Sequence, residues 1–482
     1  MTADLRAITP ELLLGVLALM LVVLDLVTDP GRKRIVAWVG VIGLLIALAP
    51  SAALFFNPSR LVFAETYAVD PFAAFFKLVA ITSGILVLLA AMEFYRDQST
   101  HYEGEVYSLV VFMVLSTVLL SAAVDLILLF LAFEFLSLVS YVLAGSLKGD
   151  RKSNEAGVKY FFYGAAASAA MLYGFTFLYG VSGTTNLYHL MQHVAFLSPG
   201  FLGLAVMLVL AGFGFKISLV PFHQWTPDVY EGAPTPIAAF LSVGSKAAAL
   251  AALVRVLYVA VPPQGWVTIL AGLAAISMTL GNLVALPQQN IKRMLAYSSI
   301  AHAGYMLIGV VAVVASPTLV GSGVGALLFY LLAYTFTNIG AFGVATIVGR
   351  GLGSDAIADY AGLSRRAPFS AFAMAVFMLS LTGIPPTALF FGKFLLFGAA
   401  INGGLLWLAI VGILNTVVSL FYYFGVVRAM YLMPAPEGAA VLREGGVARV
   451  LLAVTMVATI VIGVFPQPFI RVVNAASIIG RF

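Results

Sequence analysis

The sequence predicts an all-α integral membrane protein with about fourteen transmembrane helices. Of its 482 residues, 62% are hydrophobic and only 9% are charged, and the mean hydropathy is +1.06. Soluble domains carry roughly 25% charged residues, so lipid must be the main solvent for this chain. The apolar runs are about 20 residues long, which is typical of spanning helices and too long for the alternating strands of a barrel.

Fourteen apolar segments can be separated along the chain. They cover residues 11–28, 35–54, 71–92, 106–122, 124–147, 156–181, 200–229, 235–260, 266–286, 292–315, 322–349, 368–399, 403–432 and 447–465. The first has no small-residue cleavage site after it and only a single arginine before it, so we expect a retained helix and not a signal peptide.

The lysines and arginines outside these spans lie mostly on one side. Loops and span ends after odd-numbered spans carry fifteen: Arg32, Lys33, Arg34, Arg96, Lys148, Arg151, Lys152, Lys292, Arg293, Arg350, Arg365, Arg366, Arg428, Arg443 and Arg449. The opposite side carries four: Arg6, Arg60, Arg471 and Arg481. The positive-inside rule then places the odd loops in the cytoplasm and both termini outside the plasma (inner) membrane of a prokaryote. This distribution attributes the net charge of +5 to membrane topology and not to nucleic-acid binding.

The chain contains no cysteine, which excludes disulfides, thiolate nucleophiles and iron–sulfur ligation. Its five histidines have no clear ligand spacing on one helix; they are His101, His189, His193, His223 and His302. We therefore expect no metal, no haem or other cofactor, and no catalytic redox residue in this chain. His189 and His193 fall in the segment 182–199, where the pattern favours a short surface helix.

Four ionisable residues fall near the middle of spans: Glu134, Lys216, Lys246 and Lys393. Each costs about 2.5–3.5 kcal/mol on insertion scales, which makes such residues candidates for an ion path. The alternative is a structural ion pair between Glu134 and a lysine, but one acid cannot neutralise three lysines. The pattern therefore predicts that these groups handle protons.

Other charges in the spans are weaker candidates. We expect Lys77 and Arg255 to extend toward an interface, as long cationic side chains often do. Asp25 lies near the inner end of span 1 and is expected at the interface. Lys159 lies four residues into span 6, within reach of the cytoplasm, and position alone leaves its role open.

Two spans carry helix breaks near a lysine. Pro221 follows Lys216 by five residues in span 7, and Pro385 and Pro386 precede Lys393 in span 12. These spans are five apart, which suggests two inverted five-helix repeats with discontinuous helices in matching positions. The predicted segments are 1–105, 106–260 (spans 4–8), 261–432 (spans 9–13) and 433–482.

His302 lies about ten residues into span 10, among small residues. A lone histidine in such a position is often a hydrogen-bonded core residue. Because its proton exchanges near neutral pH, it is also a candidate relay between Lys246 and Lys393.

Several motifs resemble the antiporter-like membrane subunits of NADH-quinone oxidoreductase, also called respiratory complex I. Residues 221–236, PFHQWTPDVYEGAPTP, are similar to the signature of spans 7 and 8 in that family. VYEG at 229–232 and GKF at 392–394 resemble the subunit N branch in particular, and residues 155–161 and 297–305 also match. The resemblance covers nearly the whole chain and is weakest at spans 1–3 and 14.

This resemblance implies a role for each candidate residue. Glu134 is the carboxylate that modulates Lys216, Lys246 is the connector, and Lys393 is the terminal lysine of the outer half; Lys159 and His302 also fall on family positions. It further implies that NADH, flavin, iron–sulfur clusters and quinone are bound by other subunits. The partners implied are lipid and adjacent antiporter-like and small membrane subunits, so the chain is not a stand-alone monomer. Two alternatives remain: a sodium/proton antiporter subunit and a purely structural membrane-arm subunit.

Overall fold

The computed structural model describes residues 2–96, 102–194, 197–262, 266–315, 320–436 and 441–480. Within these ranges, thirteen helices are long and apolar enough to cross a membrane. A pair of shorter apolar helices, Pro368–Thr382 and Ala388–Asn402, together forms span 12. The predicted membrane-spanning helical fold, with span 12 discontinuous, is confirmed.

The spans that form a single unbroken α-helix alternate with short connections. They are Thr9–Val27, Arg34–Ala53, Pro71–Phe94, Glu103–Ala122, Leu126–Ala144, Arg151–Ser182, Val267–Ala285, Ile291–Ala315, Val320–Leu352, Leu406–Leu432 and Gly446–Val464. Spans 6 and 11 have 32 and 33 residues, more than the ~20 that a straight crossing requires. Each therefore extends past the hydrocarbon layer or crosses it at a tilt.

Aspartates cap the starts of several spans. The Asp70 carboxylate accepts a hydrogen bond from the Ala73 amide, and the Asp125 carboxylate accepts from the amides of Ile127 and Leu128. Such caps satisfy the free amides of a first helical turn. They fix where spans 3 and 5 begin at the predicted outer face.

Spans 7 and 12 are interrupted in the same way. Span 7 is Pro199–Ile217 followed by Thr226–Gly232. The residues at the two breaks, Ser218 and Gly383, both have left-handed backbones, with φ of 67° and 88°. The amide that follows each bonds back five residues, which is the hydrogen bond of a Schellman helix end. A cis proline comes three residues after each left-handed residue: Pro221 in span 7 and Pro386, which follows Pro385, in span 12.

Span 8 is buried from Thr235 to Leu257 and contains two π-helical turns. It runs as Thr235–Phe240, the π-turn Leu241–Ser245, Lys246–Arg255 and the π-turn Val256–Ala260. The sequence did not predict these turns. Wide turns of this kind occur frequently at functional sites, and the first directly precedes Lys246.

Small elements complete the fold. Strands Arg60–Val62 and Tyr67–Val69 pair antiparallel in a small sheet that was not predicted. The surface helix expected around His189 and His193 is confirmed as Leu187–Val194. The helix Pro466–Ala476, after span 14, was not predicted. The remaining short elements are the helices Thr2–Ala7 and Leu363–Arg366 and the 3₁₀ turns Pro30–Arg32, Leu54–Phe56 and Ile357–Tyr360.

Parts of the predicted loops 182–199 and 433–446 lie outside the described residues, at 195–196 and 437–440. A single hydrophobic cluster runs through all four predicted segments. Core burial therefore does not separate them, and the repeat boundaries stay a prediction.

Candidate functional site

Lys216 lies in the last turn of the first half of span 7 and is fully buried. Its ammonium group donates a 2.8 Å hydrogen bond to Ser137 Oγ on span 5. Four ring centroids lie within 6.0 Å of Lys216 Nζ, those of Phe133, Tyr141, Tyr160 and Phe215. Aromatic faces attract a cation, and the nearby helix C-terminus does the same. The site can therefore hold a proton on Lys216 without a carboxylate in contact.

Glu134 lies one helical turn before Ser137 on span 5. It is within electrostatic range of Lys216, but the two form no ion pair among the described residues. Its Oε1 atom is buried with no hydrogen-bond partner in the described part of the chain. The structural ion pair considered as an alternative for Glu134 is therefore not formed in this conformation.

Lys246 begins the helix that follows the first π-turn of span 8. It is fully buried, and its Nζ donates a 2.7 Å hydrogen bond to the backbone carbonyl of Ser299. Ser299 lies on span 10, one turn before His302. The contact brings Lys246 of the first predicted repeat against span 10 of the second.

His302 sits between two tyrosines in the interior. Its Nδ1 is 2.6 Å from the Tyr330 hydroxyl, and its Nε2 is 3.1 Å from the Tyr423 hydroxyl. The Tyr423 hydroxyl is also 2.5 Å from Ser298 Oγ. His302 has no direct hydrogen bond to Lys246 or Lys393 within the described chain, although both lysines are in electrostatic range. Because a hydroxyl both donates and accepts hydrogen bonds, Tyr330 and Tyr423 extend the polar contacts of His302 toward the two lysines.

Lys393 lies on the second half of span 12 but contacts the end of the first half. Its Nζ donates to the carbonyls of Leu381 and Thr382 at 3.1 and 2.9 Å, and it lies 4.8 Å from the Tyr305 ring centroid. A Cβ on Gly383 would come within 3.0 Å of Lys393 Cδ. The amines of Lys216 and Lys393 thus both lie at the C-terminal end of the first half of a broken span, where the helix dipole favours a cation.

Lys159 is in a cluster of charges at the predicted cytoplasmic edge. It pairs with Glu155 and with Asp228, each at 2.6 Å. Arg293 binds Asp228 at 2.7 Å and Glu231 at 2.9 Å, and Lys152 also binds Glu231. The Asp228 carboxylate thus accepts hydrogen bonds from both Lys159 and Arg293. The cluster ties span 6, the second half of span 7 and span 10 together.

The expectation that Lys77 and Arg255 extend to an interface is wrong. Both are fully buried. Lys77 Nζ is 2.8 Å from Glu11, and the Arg255 guanidinium makes two hydrogen bonds to Asp70, at 3.0 and 2.7 Å. Carboxylates from distant parts of the chain neutralise both cations, so neither needs water.

Asp25, expected at the interface, is 8% exposed and forms a 2.6 Å ion pair with Lys33, just beyond the inner end of span 1. The pair allows the carboxylate to be buried at this depth.

Several contact residues were missed by sequence reasoning. Ser137 and Tyr141 follow Glu134 by three and seven residues, on one face of span 5. That spacing was readable, but serine and tyrosine carry no charge that would single them out in a span. No group of three or more His, Asp or Glu side chains placed to hold a metal occurs in the described residues.

Comparison with known proteins places this geometry in a family. Residues 123–419 match the family described as NADH:quinone oxidoreductase/Mrp antiporter, transmembrane. A protein of Chloroherpeton thalassium named NADH-quinone oxidoreductase subunit N 2 is 42% identical over 98% of this chain and 95% of its own. The subunit N of Moorella thermoacetica is 43% identical, with 97% of each chain covered.

Solved structures agree. A chain of respiratory complex I from Thermus thermophilus is 35% identical with a TM-score of 0.81, covering 96% of this chain and 99% of that one. A chain of the Mrp complex from a Dietzia species shares the fold at 21% identity, with a TM-score of 0.85 over 98% of this chain and 97% of that one. The chain therefore belongs to the NADH:quinone oxidoreductase/Mrp antiporter family of membrane proteins.

Proposed function

We propose that the chain is a proton-translocating, antiporter-like membrane subunit of an NADH-quinone oxidoreductase, coupling quinone reduction in other subunits to proton transport. The observation that carries the proposal is the bonding of Lys216, Lys246 and Lys393. All three are buried, and their amines contact only hydroxyl or carbonyl oxygens and aromatic rings within the described chain. A permanent unpaired charge in such a place is costly, so these amines suit a proton that is bound and released.

The proposed route runs from Lys216 through Lys246 and His302 to Lys393. Lys246 contributes by bonding to span 10 next to Ser298, and Ser298 connects through Tyr423 to His302. On the other side of His302, Tyr330 packs against Gly392, the neighbour of Lys393 in sequence. The route therefore has polar groups between Lys246 and Lys393, with gaps that water can bridge.

Glu134 is proposed to control the charge on Lys216. In the conformation described here the carboxylate is unpaired and Lys216 bonds to Ser137 instead. Movement of the Glu134 carboxylate toward Lys216 would stabilise the protonated lysine, and movement away would favour release of its proton toward Lys246. Movement of this pair is the step by which quinone reduction elsewhere would act on the chain.

Sidedness follows from the charged loops. We propose that the odd-numbered loops face the cytoplasm, that both termini lie outside, and that the membrane is the inner membrane of a bacterium. Lys159, paired with Asp228 at the cytoplasmic edge, is proposed to take part in proton uptake, and Lys393 in release to the outside.

The redox chemistry is assigned to other subunits. We propose that NADH, flavin, iron–sulfur clusters and quinone are bound by other subunits; this chain has no cysteine to ligate an iron–sulfur cluster. Exposed apolar faces on spans 1, 2, 5, 6 and 13 suit lipid or the neighbouring membrane subunits.

The test is Lys216→Ala in inverted membrane vesicles, following NADH-driven quinone reduction and proton uptake together. We expect the complex to assemble on a native gel while both activities fall by at least several-fold. Arg365→Ala, which removes an exposed cation from the short helix Leu363–Arg366, is the control and should behave as wild type. Wild-type activities in an assembled Lys216→Ala complex would instead point to a structural subunit.

Sodium dependence separates the antiporter alternative. Proton uptake by the intact complex should be unchanged when sodium is replaced by potassium. Uptake that requires sodium would contradict proton translocation as proposed and favour sodium/proton exchange.

A further inference from the structure

The cytoplasmic ends of spans 4, 5 and 6 surround a cavity of about 500 Å³. Each span contributes a polar group to its wall: Glu105 from span 4, Ser146 just after span 5, and Asn154 from span 6. Glu105 and Asn154 are exposed. The cavity is thus large and polar enough to hold several water molecules.

Tyr141 connects this cavity to Lys216. Tyr141 is one of the residues that line the cavity, and its ring centroid is 5.8 Å from Lys216 Nζ. Its hydroxyl is buried and has no hydrogen-bond partner in the described part of the chain. Ser137, the acceptor for Lys216, lies one turn earlier on the same face of span 5.

Aromatic rings pack beside Lys216 on the side of the Lys159 cluster. Tyr160 and Trp225 are buried and stacked at a centroid distance of 4.3 Å. The Trp225 indole N–H donates a 3.0 Å hydrogen bond to the Phe215 carbonyl. The ring centroid of Tyr160 lies 5.6 Å from Lys216 Nζ. These rings occupy the side of Lys216 toward the second half of span 7.

We propose that the cavity between spans 4, 5 and 6 is the hydrated entrance from which protons reach Lys216, with the Tyr141 hydroxyl at its inner end. The inference rests on the proposed function and orientation. A protonated water in the cavity gives its extra proton to the Tyr141 oxygen and becomes a neutral water, as the Tyr141 hydroxyl releases its own proton toward Ser137. The Ser137 hydroxyl protonates the neutral Lys216 amine in turn, so each O–H bond broken is replaced and both hydroxyls end neutral.

The absence of cysteine from the chain allows a direct test of the cavity. Glu105→Cys and Asn154→Cys are introduced separately into the full complex and treated in inverted vesicles with a membrane-impermeant cationic methanethiosulfonate. We expect both to be modified and proton uptake to fall several-fold. Gln289→Cys, on an exposed loop of the same predicted side, should be modified without loss, and the treated wild type corrects for cysteines in other subunits.

Two outcomes would overturn the proposal. Failure of both cavity cysteines to react would mean that lipid or a partner subunit fills the cavity. Reaction without loss of proton uptake would mean that protons reach Lys216 by another way.

Tyr141→Phe tests the inner end and separates this inference from the proposed function. Removing one hydroxyl keeps the ring near Lys216, so we expect an assembled complex in which proton uptake is several-fold slower. Normal uptake in Tyr141→Phe together with lost uptake in Lys216→Ala would reject the entrance and leave the function standing. Normal uptake in both would reject the function as well.

Discussion

At the residue scale, the buried cations form two groups that differ in their partners. Lys77 and Arg255 contact carboxylates, whereas Lys216, Lys246 and Lys393 contact only neutral groups in the described chain. A buried ion pair fixes its charge, because removing one partner leaves the other uncompensated. An amine held by hydroxyls and carbonyls can change protonation. The paired cations are suited to holding helices together, and the three lysines with neutral partners are suited to proton transport.

Arg255→Ala should destabilise the subunit and not slow an assembled one. It leaves Asp70 buried without its partner, which costs about 3–5 kcal/mol. We expect reduced complex on a native gel and a lower melting temperature, with turnover per assembled complex near wild type. The double variant Asp70→Asn with Arg255→Gln removes both charges and should recover part of the yield. Full assembly of Arg255→Ala would contradict the anchoring role.

Tyr423→Phe should act on transport. The hydroxyl bridges Ser298 and His302, so its loss interrupts the polar chain and costs only about 1 kcal/mol in stability. We expect proton uptake to fall several-fold in a normally assembled complex. Tyr431→Phe, on a side chain exposed at the end of span 13, is the matched control. Equal uptake in the two variants would remove Tyr423 from the route.

The sequence predicted that Lys216, Lys246 and Lys393 are buried but not what they contact, and its expectation for Lys77 and Arg255 was wrong. Lys216 and Lys393 stand out because a cation in an apolar run is rare and costly. Their surroundings come from other helices: Ser137 is 79 residues from Lys216, and Tyr423 is 121 residues from His302. Asp70 and Arg255 are 185 residues apart, which is why their pairing escaped the pattern.

At the element scale, the two broken spans end their first halves with the same backbone. Prolines in the sequence predicted both breaks, yet each first half-helix ends before its proline, at Ser218 or Gly383. Positive φ is a property of the turn and not of a residue type, so only the glycine could have indicated it. No comparable feature of the sequence indicated the π-turns of span 8.

Gly383→Ala should disturb span 12 and its lysine. Alanine in a left-handed conformation costs about 1–2 kcal/mol, and its Cβ would press on Lys393 at 3.0 Å. We expect a lower melting temperature and reduced proton uptake. Ser218→Gly makes the reverse change at the matching position of span 7 and should raise the melting temperature. The account fails if the alanine variant is as stable and active as wild type.

At the scale of the whole molecule, the charge asymmetry of the loops requires a definite orientation. A cysteine at Gln289 should react with an impermeant thiol reagent only from the cytoplasmic side, and one at Glu65 only from outside. Both side chains are exposed, and the chain has no cysteine of its own. Labelling of intact cells tests access from outside, and labelling of inverted vesicles tests access from the cytoplasmic side. A reversed pattern would invert the proposed direction of transport.

The pairing of Asp70 with Arg255 also bears on how the molecule is made. At roughly 5–20 residues per second, the 185 residues between them take on the order of ten to forty seconds to synthesise. During that time the third span has a carboxylate at its outer end with no guanidinium to receive it. The ion pair that neutralises Asp70 can therefore form only after Arg255 in span 8 has been synthesised.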